Sequence, residues 1–450
     1  MLTTIKDQLF SQINAAQGIH RNMMRRATGD KYIWSIVVLL AITSLLVVYS
    51  ATSSLAYKYY DGNNTMYLFK QLAFIVVGVF VIYFMHRVNY TIYSRVSLWL
   101  FLISIPLLIY TLFFGVEVND ASRWIKLPVI NLTIQTSDLA RLALFMYISR
   151  QLSRKQNDIK DFKKGFLPLI IPTAIVCVLI LPANLSTALL TGMTSLLLMF
   201  IGRVSVKHIL LVLGIAAIPV LLIVAVAVST YNGNSKDDDG TAISKHKVAS
   251  TLNSMGRFGT WVQRTQDFIY AKDEDIPYQV QQQNIAIANG GILFGLGPGN
   301  SKQKNYLPQA YNDSIYPIII EEYGLFGGLF IIFLYLVFLF RCIRLFRKCP
   351  YAFGAFLALG LSFTLVIQAV ANMAVGVNLI PVTGVTLPLV SMGGSSFLFT
   401  CASIGIILSV ARNIERAPAD LPEGQELNPQ PKVAIIEVDD VKRKTKPEAE

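Results

Sequence analysis

Residues 279–328 read QVQQQNIAIANGGILFGLGPGNSKQKNYLPQAYNDSIYPIIIEEYGLFGG. The stretch is polar, then glycine-dense at Gly290, Gly291, Gly295, Gly297 and Gly299. Lys302 and Lys304 follow, then a turn at Tyr306 and Pro308. Asp313 stands immediately before a new apolar helix whose first turns carry Glu321 and Glu322. Glycine lets backbone amides approach a ligand closely, and lysine supplies anion-binding charge. A carboxylate beside a bilayer is expensive, which makes it a functional candidate. The same composition also suits an outer loop with helix-capping residues.

Outward from this stretch the chain is apolar. It has 450 residues, 54% hydrophobic and only 15% charged, where soluble domains carry about 25% charged residues. It reads as an all-α polytopic membrane protein. At about 20 apolar residues per crossing, ten transmembrane helices are expected: 34–51, 67–84, 96–114, 137–152, 166–181, 186–201, 209–229, 314–340, 352–377 and 395–410. The fourth and sixth are the shortest, and the fourth contains Arg141. A large extracytoplasmic loop, 230–313, separates helices 7 and 8. Residues 1–33 form a basic cytoplasmic segment whose Leu2, Ile5, Leu9, Phe10 and Ile13 recur at the spacing of an interfacial helix. Residues 34–412 make the membrane domain. Residues 413–450, rich in Pro, Glu and Lys, read as a disordered cytoplasmic tail.

The net charge of +12 follows topology and membrane lipids rather than nucleic acid. One set of alternate segments holds Arg87 and Arg95; Arg150, Arg154, Lys155, Lys160, Lys163 and Lys164; Arg203 and Lys207; Arg341, Arg344, Arg347 and Lys348, whereas the other short loops hold only Lys58, Lys70, Arg123 and Lys126. The first, basic set shares a side with the amino terminus, which places both termini in the cytoplasm. Cys177, Cys342, Cys349 and Cys401 show neither zinc nor disulfide spacing and read as structural. The four histidines are scattered, and no metal site is read. The Asp237–Asp239 run reads as a solvated turn. The glycine stretch lacks the terminal Gly-Lys-Ser/Thr of a phosphate-binding P-loop, which excludes that route to ATP chemistry.

Three more outer segments carry polar groups. Arg123, Trp124 and Lys126 are followed by Gln135, Ser137, Asp138 and Arg141. Trp124 suits the membrane interface, and Arg123 and Lys126 suit phosphate. Asp138 and Arg141 share a helix face and are expected to pair. The turn 181–187 contains Asn184, read as a helix cap. Residues 381–396 hold two prolines and three glycines at membrane depth, backbone tolerated only where it is buried in protein or lines a wet cavity. Spacing alone leaves a transporter, a lipid flippase and an enzyme on a lipid-linked substrate all open.

The motifs closely resemble the SEDS family, the FtsW, RodA and SpoVE proteins of bacterial cell-wall synthesis. The match runs from Tyr49-Ser50-Ala51 to about Arg412. Its most specific parts are Arg123-Trp124-Ile125, Gln135 through Asp138, Ala286 through Gly291, Gly297 through Lys304, Leu307 through Asp313, Glu321 through Gly324, Pro381 through Gly384, and Gly393-Gly394-Ser395-Ser396. The resemblance implies a peptidoglycan glycosyltransferase of the bacterial inner membrane. It would polymerise lipid II, an undecaprenyl-pyrophosphate disaccharide-peptide, at the outer face. It would work with a class B penicillin-binding protein and other divisome proteins. Asp313 matches the family's essential aspartate and is expected to act as general base. Arg123, Arg141 and Lys304 are expected to offset pyrophosphate charge. Trp124, Gln135, Ser137, Asp138, Glu321, Ser395 and Ser396 are the other expected substrate contacts. No cofactor is evident, and a requirement for a divalent cation (Mg or Mn) is left open. The sequence departs from the family pattern at Tyr311, Asn312 and Ser314 around the retained Asp313, at Thr136 and Asp138, at Pro182, Ala183, Asn184 and Ser186, and at Met392. Val382 through Pro388 resembles the division type more than the elongation type, which remains the alternative. A lipid II flippase is the alternative from another class, and a scaffold for the partner is a third.

Overall fold

The structure, a computed structural model, describes residues 29–53, 55, 65–118, 121–126, 133–230, 257–270 and 276–416. The expected interfacial helix at the amino terminus, the acidic run at 237–239 and residues 417–450 lie outside the described residues. The chain is built of helices: α1 (Lys31–Ala51), α2 (Thr65–Arg87), α3 (Tyr90–Phe114), α4 (Thr136–Arg154), α5 (Leu167–Ile180), α6 (Leu185–Ile201), α7 (Val206–Ser229), α8 (Arg257–Tyr270), α9 (Tyr278–Gly290), α10 (Ile315–Lys348), α11 (Ala352–Gly376) and α12 (Ser395–Arg416). Among the described residues, eight segments are long and apolar enough to cross a bilayer: α1, α2, α3, Phe162–Ile180, α7, α10, α11 and α12 up to Glu415. The other two expected spans are helices that fall short by that measure. α6 has 17 residues, and α4 carries Asp138, Arg141, Arg150 and Arg154.

Local sequence sets the ends. Asp30 accepts from the amides of Tyr32 and Ile33 and starts α1 three residues before the expected Trp34. Asn184 caps α6 by accepting from Thr187 N–H at 3.1 Å, as its sequence suggests. α12 runs on through Arg416, so the tail expected from 413 loses its first four residues to the helix. The loop between α7 and α10 is not plain loop, because it contains α8 and α9.

Among the described residues one segment forms strands. β1 (Val116–Val118), β2 (Ala121–Lys126) and β3 (Thr133–Gln135) form an antiparallel sheet in the order β1-β2-β3. Trp124 pairs with Gln135 across it. This small sheet is an insertion in a fold that is otherwise all-α, as the sequence predicts.

α11 and α12 are the best buried of the spanning helices, while α2, α3 and α7 leave most of their apolar surface outside. α7 buries only Ile209, Ile223 and Ala227. Such faces fit lipid, in which apolar side chains need no protein cover. The four cysteines are free thiols.

Candidate active site

Asp313 is held by its neighbours' main chain before its carboxyl is considered. Asn372 of α11 donates from Nδ2 to the Asp313 carbonyl at 2.8 Å and to the Val385 carbonyl at 2.7 Å. Ser391 donates to the Asn312 carbonyl at 2.5 Å, and Met392 N–H donates to the Tyr311 carbonyl at 3.0 Å. Ser314 Oγ accepts from Gln279 at 2.9 Å and Gln283 at 3.2 Å, both on α9. Three elements therefore fix one peptide: α9, α11 and the non-helical segment 381–394.

The carboxyl is half-buried, and its Oδ1 is closed off from solvent without a hydrogen-bond partner in the structure. Gly384 lies between it and Arg123. A Cβ added there would sit 3.7 Å from Asp313 Oδ2 and 4.0 Å from Arg123 Nη1. Burial pushes the Asp313 carboxyl up to about 6, against the pull of its own amide, Arg264, the Ser314 amide and Arg123. Burial also pulls Arg123 down to about 10, helped by Arg257 and Arg264 and opposed by Asp313.

Arg123 borders a cavity of about 480 Å³ between α6, α7, α8 and residues 380–383. Its Nε donates to the Ala183 carbonyl at 3.0 Å. Arg257 Nη2 donates to the same carbonyl at 2.6 Å, and Arg264 Nη1 donates to the Val382 carbonyl at 3.0 Å. Apolar walls come from Leu189, Leu190, Ile223 and Phe268. Arg257 and Arg264 are absent from the sequence reading. The signal for them was available: Arg257, Trp261, Arg264 and Phe268 recur at i, i+4, i+7 and i+11, and all four line the cavity.

Glu321 has a different place from the expected one. Its carboxylate accepts from Asn289 Nδ2 at 3.1 Å, from Lys302 N–H at 3.2 Å, from Gln303 N–H at 3.2 Å and from Ser301 Oγ. Glu322 accepts from Ser50 Oγ. Both are buried. α10 breaks at Gly324, where φ is 71°, a conformation that favours glycine. The carbonyls of Glu321 and Glu322 are taken up by Leu296 N–H and Gly297 N–H, each at 2.9 Å. The glycine stretch thus caps a broken helix, and Glu321 is bound up in holding it. Lys304 donates from Nζ to Gly299 within the same loop at 2.7 Å and is not among the residues lining the large cavity.

Asp138 and Arg141 pair as their spacing predicts, at 3.6 Å. Arg141 also donates to Gln368 at 3.0 Å, and Gln368 donates to the Thr386 carbonyl at 3.0 Å. Asp138, Arg141, Gln368 and Ser396 line a small recess of their own. Gln135 N–H donates to Ser395 Oγ at 3.0 Å, and its side chain donates to Ser137 at 3.0 Å. Trp124, Gln135, Ser137, Ser395 and Arg123 thus gather around the sheet and the start of α12, while Arg141 ties α4 to α11. Of the three cations expected to meet pyrophosphate, only Arg123 lines the large cavity beside Asp313. Among the described residues no group of three His, Cys, Asp or Glu side chains could hold a metal ion.

Comparison with known proteins places the chain. The profile of the family described as "Cell cycle protein", covering FtsW, RodA and SpoVE, matches residues 30–416. The chain belongs to this family. A probable peptidoglycan glycosyltransferase FtsW of Trichlorobacter lovleyi is 32% identical over 405 residues, covering 89% of this chain and 97% of that protein. Stage V sporulation protein E of Bacillus subtilis is 31% identical over 397 residues, covering 87% and 99%. Among solved structures, a chain described under "Structural coordination of polymerization and crosslinking by a peptidoglycan synthase complex" aligns with TM-score 0.62 at 22% identity, covering 86% of this chain and 98% of its own. The rod shape determining protein RodA of Thermus thermophilus aligns with TM-score 0.59 at 20% identity, covering 86% and 97%. Those two likenesses establish the FtsW/RodA fold, and the sequence relatives establish the family.

Proposed function

We propose that this chain is a peptidoglycan glycosyltransferase of the division type, polymerising lipid II at the outer face of the bacterial inner membrane. The observation that carries the reading is the Asp313 carboxyl, half-buried, pushed up to about 6 and set across Gly384 from Arg123, which borders an apolar-walled cavity together with Arg257 and Arg264. A base whose pKa lies near the working pH combines an available lone pair with useful proton affinity. In the step, the acceptor sugar 4-hydroxyl oxygen forms a bond to the donor anomeric carbon. The bond from that carbon to the diphosphate oxygen breaks, the hydroxyl proton passes to Asp313, and the electron pair leaves with the diphosphate. Guanidinium charge beside the breaking bond stabilises the leaving group most where its charge develops.

The names of the relatives support the reaction class, and the full-length coverage supports carrying it to the whole chain. A class B penicillin-binding protein is the proposed partner, supported by likeness to a chain of a peptidoglycan synthase complex. Ten spans, cytoplasmic termini and the outer position of the site complete the proposal, supported by the basic loops.

Purified full-length protein is incubated with lipid II, with and without a class B penicillin-binding protein, and glycan chains are resolved by length. Wild type is expected to make chains and Asp313→Asn to make none. A folded Asp313→Asn protein with the wild-type rate would remove the base role. A folded wild type making no chains even with its cognate partner would move the reading to lipid flipping.

A further inference from the structure

The cavity beside Asp313 has an unusual balance of charge. Arg123, Arg257 and Arg264 border it, and each of Arg257 and Arg264 bears unfavourably on Arg123. Among the described residues neither Arg123 nor Arg264 has a carboxylate within 4.0 Å. Each is tethered through a single nitrogen to a main-chain carbonyl, out of five N–H donors per guanidinium. Such tethers orient a guanidinium without neutralising it. Clustered cations are stable together when an anion joins them, and the planar fork of arginine matches phosphate oxygens in pairs.

The rest of the cavity is apolar. Leu189, Leu190, Val220, Ile223 and Phe268 form walls continuous with the outer ends of α6 and α7, and α7 exposes most of its length to lipid. A cationic head region joined to an apolar slot suits an amphipathic anion carrying a hydrocarbon chain. We propose that Arg264 and Arg257, together with Arg123, clamp the diphosphate of a prenyl-linked sugar donor, with the prenyl chain laid along α6 and α7. Arg123 of the clamp faces Asp313 across Gly384, so a diphosphate held there lies next to the base and is the one that leaves. Arg141 and Lys304, bound into other networks, are not part of it.

This rests on the glycosyltransferase reading, but its test needs neither sugar nor turnover. The full chain in nanodiscs of zwitterionic lipid is titrated with farnesyl diphosphate, farnesyl monophosphate, farnesol and inorganic pyrophosphate. Wild type is expected to bind the prenyl diphosphate at least tenfold more tightly than the other three. Arg257→Gln and Arg264→Gln are each expected to weaken it by about tenfold or more, as for truncation of a desolvated charge contact. Thermal melting checks the fold. Arg264→Lys keeps the charge without the fork and is expected to narrow the preference for diphosphate over monophosphate. The proposal is overturned if the Arg257→Gln/Arg264→Gln double variant, correctly folded, binds farnesyl diphosphate as wild type does. It is equally overturned if monophosphate or farnesol binds as tightly, which makes the cavity a general lipid slot, or if inorganic pyrophosphate does, which removes the lipid. Diphosphate binding without glycan synthesis would leave the clamp standing and remove the polymerase, and the reverse result would do the opposite.

Discussion

Asp313 is asked to be buried and to be charged, and its pKa of about 6 records the compromise. As a base it works when deprotonated, so the polymerisation rate is expected to rise as pH increases through about 6 and to level off above. A pH–rate profile checks this, and a limb near 4 would mean that the carboxyl is not shifted by burial. Stability runs the other way. The folded-state pKa lies above the ordinary 3.8, so the folded protein holds this proton more tightly than the unfolded chain does. Stability is then full below about 4 and falls as pH rises through about 6. The cost above pH 6 is about 2–3 kcal/mol at one pKa unit per ~1.4 kcal/mol. Asp313→Asn is expected to be inactive yet to melt higher than wild type above pH 6, with the gain vanishing near pH 4. Calorimetry across that range checks the sign.

The broken helix α10 and the glycine stretch are one unit. Gly290 faces the Ile320 carbonyl so closely that an added Cβ would lie 2.1 Å from its oxygen. Gly290→Ala is expected to separate α9 from α10 at a cost of about 1–3 kcal/mol or more, seen as a lowered melting temperature. Because α9 also reaches Ser314 through Gln279 and Gln283, the same variant is expected to lose activity. Glu321→Ala strands the amides of Lys302 and Gln303, and the buried Gln303 donor left unmade costs about 1–3 kcal/mol. Limited proteolysis is expected to cut between 295 and 305 faster in this variant, with Glu321→Gln in between. These partnerships explain what the sequence withheld. Glu321 looked like a ligand because a carboxylate in an apolar helix has few other uses. Its partners lie about 20 residues back in a loop, a separation that no helical period announces. The strands at 116–135 were too short to raise a pattern. Arg257 and Arg264 do form one, an amphipathic face on α8, but a long polar stretch around it obscures the pattern.

At the scale of the whole molecule the apolar runs made most of the fold legible, since hydrocarbon forces each run into a helix that satisfies its own backbone. Helix ends shifted by a few residues because caps such as Asp30 act outside the apolar run. Asp313 and Arg123 stand out in the sequence and lie across Gly384 from each other in the structure, whereas the company of Arg257 and Arg264 comes from α8 and its place beside α6 and α7. Topology has its own test. A cysteine introduced as Asn300→Cys is expected to react with an impermeant thiol reagent added to the periplasmic side, and Lys160→Cys only after the membrane is opened. The reverse pattern would invert the protein.

The two carboxylates of α10, Glu321 and Glu322, take hydrogen bonds from hydroxyls, an amide side chain and main-chain amides, whereas the cavity beside Asp313 gathers three guanidinium groups. Ionic strength should therefore tell these two regions apart. Added salt screens the arginines and weakens their hold on any anion, because mobile ions reach a solvent-connected cavity. It leaves the glycine stretch in place, because buried neutral donors offer salt nothing to screen. A protein that keeps its melting temperature in strong brine while its grip on an anionic lipid slackens would show that division directly.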